Sequence, residues 1–164
     1  MGRNPKNSQS ITEIMITSFA GESKNFLDDK SRLSIPAKYR RWISGEDAEC
    51  TFFITKGSDP CLVAYPEPEW EIFTEKLQQL SQFKKKNRSF IRTWSRNSIR
   101  LKCDKQGRVL LPQEHLNFAN IKKEVIIIGA LNYLELWDPE TLEKHQESQI
   151  PLDDDYYEDL ADIL

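Results

Sequence analysis

Leu27-Asp28-Asp29-Lys30-Ser31-Arg32-Leu33-Ser34-Ile35-Pro36 returns later in the same chain as Cys103-Asp104-Lys105-Gln106-Gly107-Arg108-Val109-Leu110-Leu111-Pro112. Asp28, Arg32 and Pro36 meet Asp104, Arg108 and Pro112 at a constant offset of 76 residues. A repeat inside one chain is direct evidence about architecture and needs no relatives for support. Each copy holds an acidic residue, a basic turn, a short apolar strand and a proline. That pattern describes β-structure whose turn presents an arginine.

Outward from the two motifs, the halves match element by element. Lys24 to Ile35 reads as strand–turn–strand, with Leu33 and Ile35 on one face and Ser34 on the other. Pro36 suits the first turn of a helix, where a missing N–H costs nothing. Tyr39, Trp42 and Ile43 follow at helical spacing, and Ser44-Gly45-Glu46-Asp47 ends that helix. Thr51 to Thr55 reads as a buried strand, Gly57-Ser58-Asp59-Pro60 as a turn, and Cys61 to Tyr65 as the return strand. Pro66 opens a longer helix with Glu67 and Glu69 near its positive end, and Trp70, Phe73, Leu77 and Leu80 along one face.

The second half repeats this order. Ile99 to Leu111 is strand–turn–strand, Pro112 starts a short helix, and Glu124 to Gly129 matches the strand ending at Gly57 with an offset of 72. The change from 76 to 72 removes four residues after the short helix. Tyr133 to Trp137 is the return strand. Asp138-Pro139-Glu140 supplies an N-cap, a first-turn proline and an acid for a helix ending near Gln149. Each β-core is only about 50 residues, near the limit for independent folding, so two halves that complete each other are expected.

Between the halves, Lys84, Arg88, Arg92, Arg96 and Arg100 recur every four residues. On a helix such a row drifts by about 40° per step, so it forms a spiralling stripe, and Arg100 falls on the next strand. The chain thus divides into an extension (1–17), a first repeat with its helix (18–83), a basic helical linker (84–98), a second repeat with its helix (99–150) and an acidic tail (151–164). Ile14-Met15-Ile16 in the extension is available to join a strand, and the tail is expected to be mobile.

A net charge of −3 conceals an asymmetry. Residues 1–102 hold 18 Lys/Arg against 12 Asp/Glu, a balance of +6, and residues 103–164 hold 5 against 14, a balance of −9. The basic region could meet a polyanion. No run approaches the roughly 18–20 apolar residues of a membrane span, and the start lacks the apolar region of a signal peptide. Cys50, Cys61 and Cys103 form no even framework, so reduced, structural thiols are expected. His115 and His145 lie far in sequence from any cysteine, against a zinc site, and His115 reads as a helix-surface residue. No nucleophile–His constellation or Gly-rich phosphate loop is present, and Asp28 with Asp104 is unconvincing as an acid–base pair. Trp70, Phe73, Trp94 and Trp137 sit among apolar residues and read as core or subunit-contact side chains.

Two readings of the repeated motif remain open on residues alone. An arginine in a β-turn can take guanine O6 and N7 together. Equally, Asp28 with Arg32 and Asp104 with Arg108 can be internal ion pairs that fix their turns.

Phe19-Ala20-Gly21-Glu22 followed by Leu27 to Arg40 resembles the opening of the MraZ family. Asp104 to Arg108 with Pro112 matches that family's second half, and Leu134-Glu135-Leu136-Trp137-Asp138 resembles its closing strand. The likeness runs from about Phe19 to Gln149. It implies a mainly β fold with short helices: two tandem AbrB-type swapped-hairpin half-barrels related by a pseudo-two-fold, plus flanking helices. It also implies a bacterial, sequence-specific DNA-binding transcriptional regulator of the division and cell-wall gene cluster. Such a protein is cytoplasmic and nucleoid-associated. It works as a ring-shaped homo-oligomer on repeated, generally G-rich boxes in double-stranded promoter DNA. No enzymatic activity, cofactor, metal, membrane or small-molecule substrate is expected.

Carried onto this chain, Arg32 becomes a DNA contact, Lys30 a phosphate contact and Asp28 a structural partner. In the second motif Arg108 and Lys105 are the corresponding DNA-contact candidates and Asp104 the structural partner, and the acidity of that half leaves a structural echo equally open for Arg108. Lys38, Arg40, Arg88, Arg92 and Arg96 are candidate phosphate contacts. Ser31 departs from the glycine usual in the family and kept at Gly107, which would reshape the first turn. The extension and the long acidic tail depart from it as well. An antitoxin-like protein-binding barrel is the main alternative, ahead of an RNA ligand and of an enzyme on an unrelated fold.

Overall fold

The structure, a computed structural model, describes residues 18–44, 50–149 and 151–163. The expected strand at Ile14–Ile16 and the helix break at Gly45–Asp47 lie outside the described residues.

The first half contains β1 (Glu22–Phe26), β2 (Arg32–Ser34), α1 (Ala37–Ser44), β3 (Thr51–Lys56), β4 (Leu62–Pro66) and α2 (Glu67–Gln78). Next comes α3 (Lys85–Arg96), then the second half: β5 (Ile99–Lys102), β6 (Arg108–Leu110), α4 (Gln113–Phe118), β7 (Glu124–Ala130), β8 (Tyr133–Trp137) and α5 (Pro139–Glu147). A last helix, α6, spans Asp154–Ala161.

Six strands form one antiparallel sheet in the order β1-β7-β8-β4-β3-β5, and β2 pairs with β6 in a separate two-stranded ribbon. The order shows an exchange. β1 of the first half completes the sheet of the second by pairing with β7, and β5 of the second half pairs with β3 of the first. β4 and β8 join the two at the centre, where Val63 faces Glu135, while Leu33 faces Val109 in the ribbon. Both facing pairs are repeat equivalents, so the pseudo-two-fold axis runs through them. The expected strand–turn–strand units are present, but opened: β1 and β2 go to different sheets and touch as a hairpin only at the Leu27–Leu33 bridge.

Alternation along the strands separates two faces. Phe52, Ile54, Leu62, Ala64, Val125, Ile127, Leu134 and Leu136 point inward and bury fully. Leu33, Ile35, Val109 and Leu111 from the ribbon, Tyr39 from α1 and Leu116 from α4 close over them. Gly129 admits the entering chain: a Cβ there would sit 2.5 Å from the Ala20 nitrogen.

The other face carries the helical hairpin of α2 and α3. Trp70 stacks on Phe53 (4.6 Å between centroids) and on Trp94 (5.4 Å), and Tyr65 meets Trp70, Phe73, Trp94 and Tyr133. These aromatics are packing residues, as their spacing suggests. α5 packs nearby through Leu142 against Ile126 and Trp137, and starts at Asp138, whose carboxylate accepts from the Thr141 N–H at 3.0 Å.

Two expectations are corrected. His115 is buried, 7% exposed, because α4 packs toward the end of α3, where His115 Nε2 lies 2.8 Å from the Asn97 carbonyl oxygen. Cys50 and Cys103 pair as a disulfide, leaving Cys61 free and buried. The exchanged β5 brings them together, a proximity that cysteine spacing does not reveal. In the tail, residues 154–161 are helical, because Asp153 caps the Tyr156 N–H and Asp154 and Asp155 occupy the first turn. Among the described residues, no helix is long and apolar enough to cross a membrane and no group of His, Cys, Asp and Glu could hold a metal ion.

Candidate nucleic-acid interface

The two repeated motifs form one site. Each Asp-x-x-x-Arg turn closes by the same bonds. The Asp28 N–H donates to the Arg32 carbonyl (3.0 Å) and the Ser31 N–H to the Asp28 carbonyl (3.0 Å); in the second turn Asp104 does so to Arg108 (2.8 Å) and Gly107 to Asp104 (2.9 Å). Asp28 Oδ1 accepts the N–H groups of Lys30 and Arg32 at 2.9 and 3.0 Å, and Asp104 Oδ1 accepts those of Gln106 and Arg108 at 2.9 Å each. Their other oxygens hold the arginines: Arg32 Nε donates to Asp28 Oδ2 at 2.6 Å, Arg108 Nε to Asp104 Oδ2 at 2.8 Å. Arg108 Nη1 also lies 3.7 Å from Asp28, so that carboxylate stands between two guanidinium groups.

Those hydrogen bonds hold both carboxyls below their ordinary pKa of 3.8, chiefly through the backbone N–H of Arg32 for Asp28 and of Arg108 for Asp104. Because the folded values are lowered, what the carboxylates contribute to the turns is present above about pH 4. It is lost as pH falls through the lowered values.

Ser31 does not reshape its turn. It takes the left-handed conformation with φ 60°, beside φ 77° for Gly107, and accepts the Leu111 N–H at 3.0 Å as Gly107 accepts the Ile35 N–H at 2.9 Å. The second turn is the more crowded of the two: a Cβ on Gly107 would meet the Arg40 guanidinium at 2.6 Å.

In the ribbon, Arg32 faces Leu110 and Ser34 faces Arg108. Leu33 and Val109 point into the core, so these four share the opposite face, Ser34 and Leu110 exposed and the arginines half-buried. The ion-pair and ligand readings are compatible. Each aspartate holds Nε, and among the described residues the terminal nitrogens of Arg32 have no partner. Such an arginine is oriented before any ligand arrives.

The remaining candidates divide. Lys30 and Lys105 are exposed on the turns beside the ribbon. Lys38 and Arg40 lie on α1, on the same side of the sheet; Arg40 Nε donates to the Ile35 carbonyl at 2.9 Å while its guanidinium rests against Gly107. Arg88, Arg92 and Arg96 belong to α3, whose Trp94 packs on the sheet's other face. Arg88 is committed locally, donating to the Gln82 and Phe83 carbonyls at 2.7 and 2.9 Å. Ser34 and Leu110 were not singled out from the sequence, although alternation already places Ser34 opposite Leu33 and Ile35.

An exchanged pair of β-units with paired arginines on a shared ribbon defines a tandem swapped-hairpin protein. A family model described as "MraZ protein, putative antitoxin-like" matches residues 18–93 and 96–160. Relatives named "Transcriptional regulator MraZ" include those of Clostridium beijerinckii, 40% identical over 82% of this chain and 92% of the relative, and Pediococcus pentosaceus, 37% identical over 88% and 98%. Another, from Clostridium tetani, is 37% identical over 89% of this chain and 96% of its own length. The chain belongs to the MraZ family. The match reaches residue 160, so most of α6 lies inside the matched span.

Proposed function

We propose that this chain is a sequence-specific, DNA-binding transcriptional regulator. The observation that carries the reading is the ribbon: a two-stranded β-element with one face in the core and two aspartate-held arginines on the other. A two-stranded ribbon fits the DNA major groove, and an arginine there can contact guanine O6 and N7 together. Lys30 and Lys105, exposed on the turns, and Lys38, exposed on α1, are the candidate phosphate contacts on this side of the sheet. Arg40 supports the second turn. The names borne by the relatives above support regulation of transcription, and the family resemblance points to the division and cell-wall gene cluster as the target.

One ribbon offers few contacts. A homo-oligomeric ring presenting several ribbons to successive boxes raises affinity through multivalency without new chemistry. Phe83 supports association: it stands 97% exposed on the hairpin between α2 and α3, near the exposed Leu80 and Phe90.

The test is a salt-titrated binding assay on DNA from upstream of the gene, with a scrambled duplex and an RNA duplex as competitors. Wild type is expected to prefer the upstream DNA with a steep salt dependence. Arg32→Ala is expected to lose discrimination worth about 1–3 kcal/mol for each ribbon engaged. Equal binding of all three duplexes would overturn the reading. Co-purification of an unrelated protein in fixed stoichiometry, without DNA selectivity, would favour the antitoxin-like alternative.

A further inference from the structure

The ribbon is symmetric in backbone and asymmetric in chemistry. Its axis passes between Leu33 and Val109, both 0% exposed. On the solvent face the repeat equivalents Arg32 and Arg108 are identical, but the equivalents Ser34 and Leu110 are not. Leu110 is 58% exposed on a face whose other members are two arginines and a serine.

A single exposed leucine needs no explanation by itself. This one has two marks of a contact residue. It sits directly across the ladder from Arg32, so the two side chains start about 5 Å apart on the same face. The equivalent place beside Arg108 is taken by Ser34, so neither the fold nor the turn requires an apolar side chain there.

Resting on the DNA reading above, we propose that Leu110 is a specificity-determining residue. It contacts the C5-methyl of a thymine at the base step beside the guanine taken by Arg32. The methyl is the apolar group that a base edge presents in the major groove, and an aliphatic side chain is its natural complement. Ser34 occupies the matching place beside Arg108 and offers a hydroxyl to either kind of base pair. One end of the ribbon therefore reads guanine with a neighbouring methyl, and the other reads guanine with a polar neighbour. The backbone two-fold does not produce a palindromic site: each box has a direction.

The experiment replaces each thymine of the upstream DNA in turn with deoxyuridine, which removes only the methyl. Wild type, Leu110→Ser, Ser34→Leu and the exchanged Ser34→Leu/Leu110→Ser protein are compared. Circular dichroism and sedimentation of each variant confirm fold and assembly. Wild type is expected to lose about fourfold in affinity at one thymine per box, the equivalent of one buried methyl group. Leu110→Ser should bind about fourfold more weakly and be indifferent to the same replacement. The exchanged protein should be sensitive at the opposite end of the box. If wild type selects its DNA through Arg32 yet is indifferent to every methyl, Leu110 has no such role and the DNA reading stands. The inference also fails if Leu110→Ser alters assembly and leaves methyl sensitivity intact. Absence of any DNA selectivity in wild type would remove both.

Discussion

At the scale of single residues, the two turns show which features depend on local sequence. Asp28 and Arg32 lie four residues apart, and so do Asp104 and Arg108, so their ion pairs are legible from spacing. Arg40 is different. It reads as a surface cation of a short helix, yet its guanidinium rests on Gly107, from the other half of the chain. That contact depends on the exchange between halves, which no spacing within either half reveals. Gly107→Ala adds a Cβ at φ 77° that meets the Arg40 guanidinium at 2.6 Å. It is expected to destabilise the protein by about 1–3 kcal/mol. Urea denaturation read by tryptophan fluorescence measures the change. Ser31→Gly, where the backbone is already left-handed, is expected to stay within about 1 kcal/mol of wild type and serves as the control.

Among the elements, strands and helices were legible because alternation and helical spacing are local properties. β3, β4, β7 and β8 follow apolar runs bounded by Gly, Pro and Asp, and α2 and α5 follow their first-turn prolines. Pairing was not legible. Lys24 to Ile35 reads as strand–turn–strand, but β1 finds its partner in β7 across most of the chain. The same exchange explains the misread cysteines, since Cys103 meets Cys50 only because β5 lies along β3. His115 was misread because its neighbour, Asn97, closes a helix of the interdomain segment. An exchange of this kind makes the halves interdependent. Produced separately, residues 18–97 and 98–163 should each fail to form a folded monomer, since each lacks a strand its sheet requires. Mixed, they should recover native-like near-ultraviolet dichroism as an equimolar complex. Either fragment folding alone as a monomer would contradict the topology.

For the whole molecule, the exchange also changes the meaning of the charge. The +6 and −9 halves suggest a basic lobe and an acidic lobe, with Arg108 in the wrong one. In the fold Arg108 stands beside Arg32, close enough for Nη1 to lie 3.7 Å from Asp28. The local arrangement decides what a polyanion meets, and a net acidic chain can present cations from both halves at one place. The alternative that Arg108 is a structural echo rests on treating the halves as separate bodies, whereas Arg32 and Arg108 lie on one face of one ribbon. Arg88, whose guanidinium is held by the Gln82 and Phe83 carbonyls, belongs to the hairpin whose Trp94 packs across the sheet from the ribbon. The most direct test of the account is therefore whether the two arginines act as one site. Affinity for the upstream DNA, relative to a scrambled duplex, is measured for wild type, Arg32→Ala, Arg108→Ala and the double variant at one salt concentration. Both single variants are predicted to lose most of the preference, and the double variant little more than either. An Arg108→Ala protein as selective as wild type would contradict the shared ribbon as the reading element.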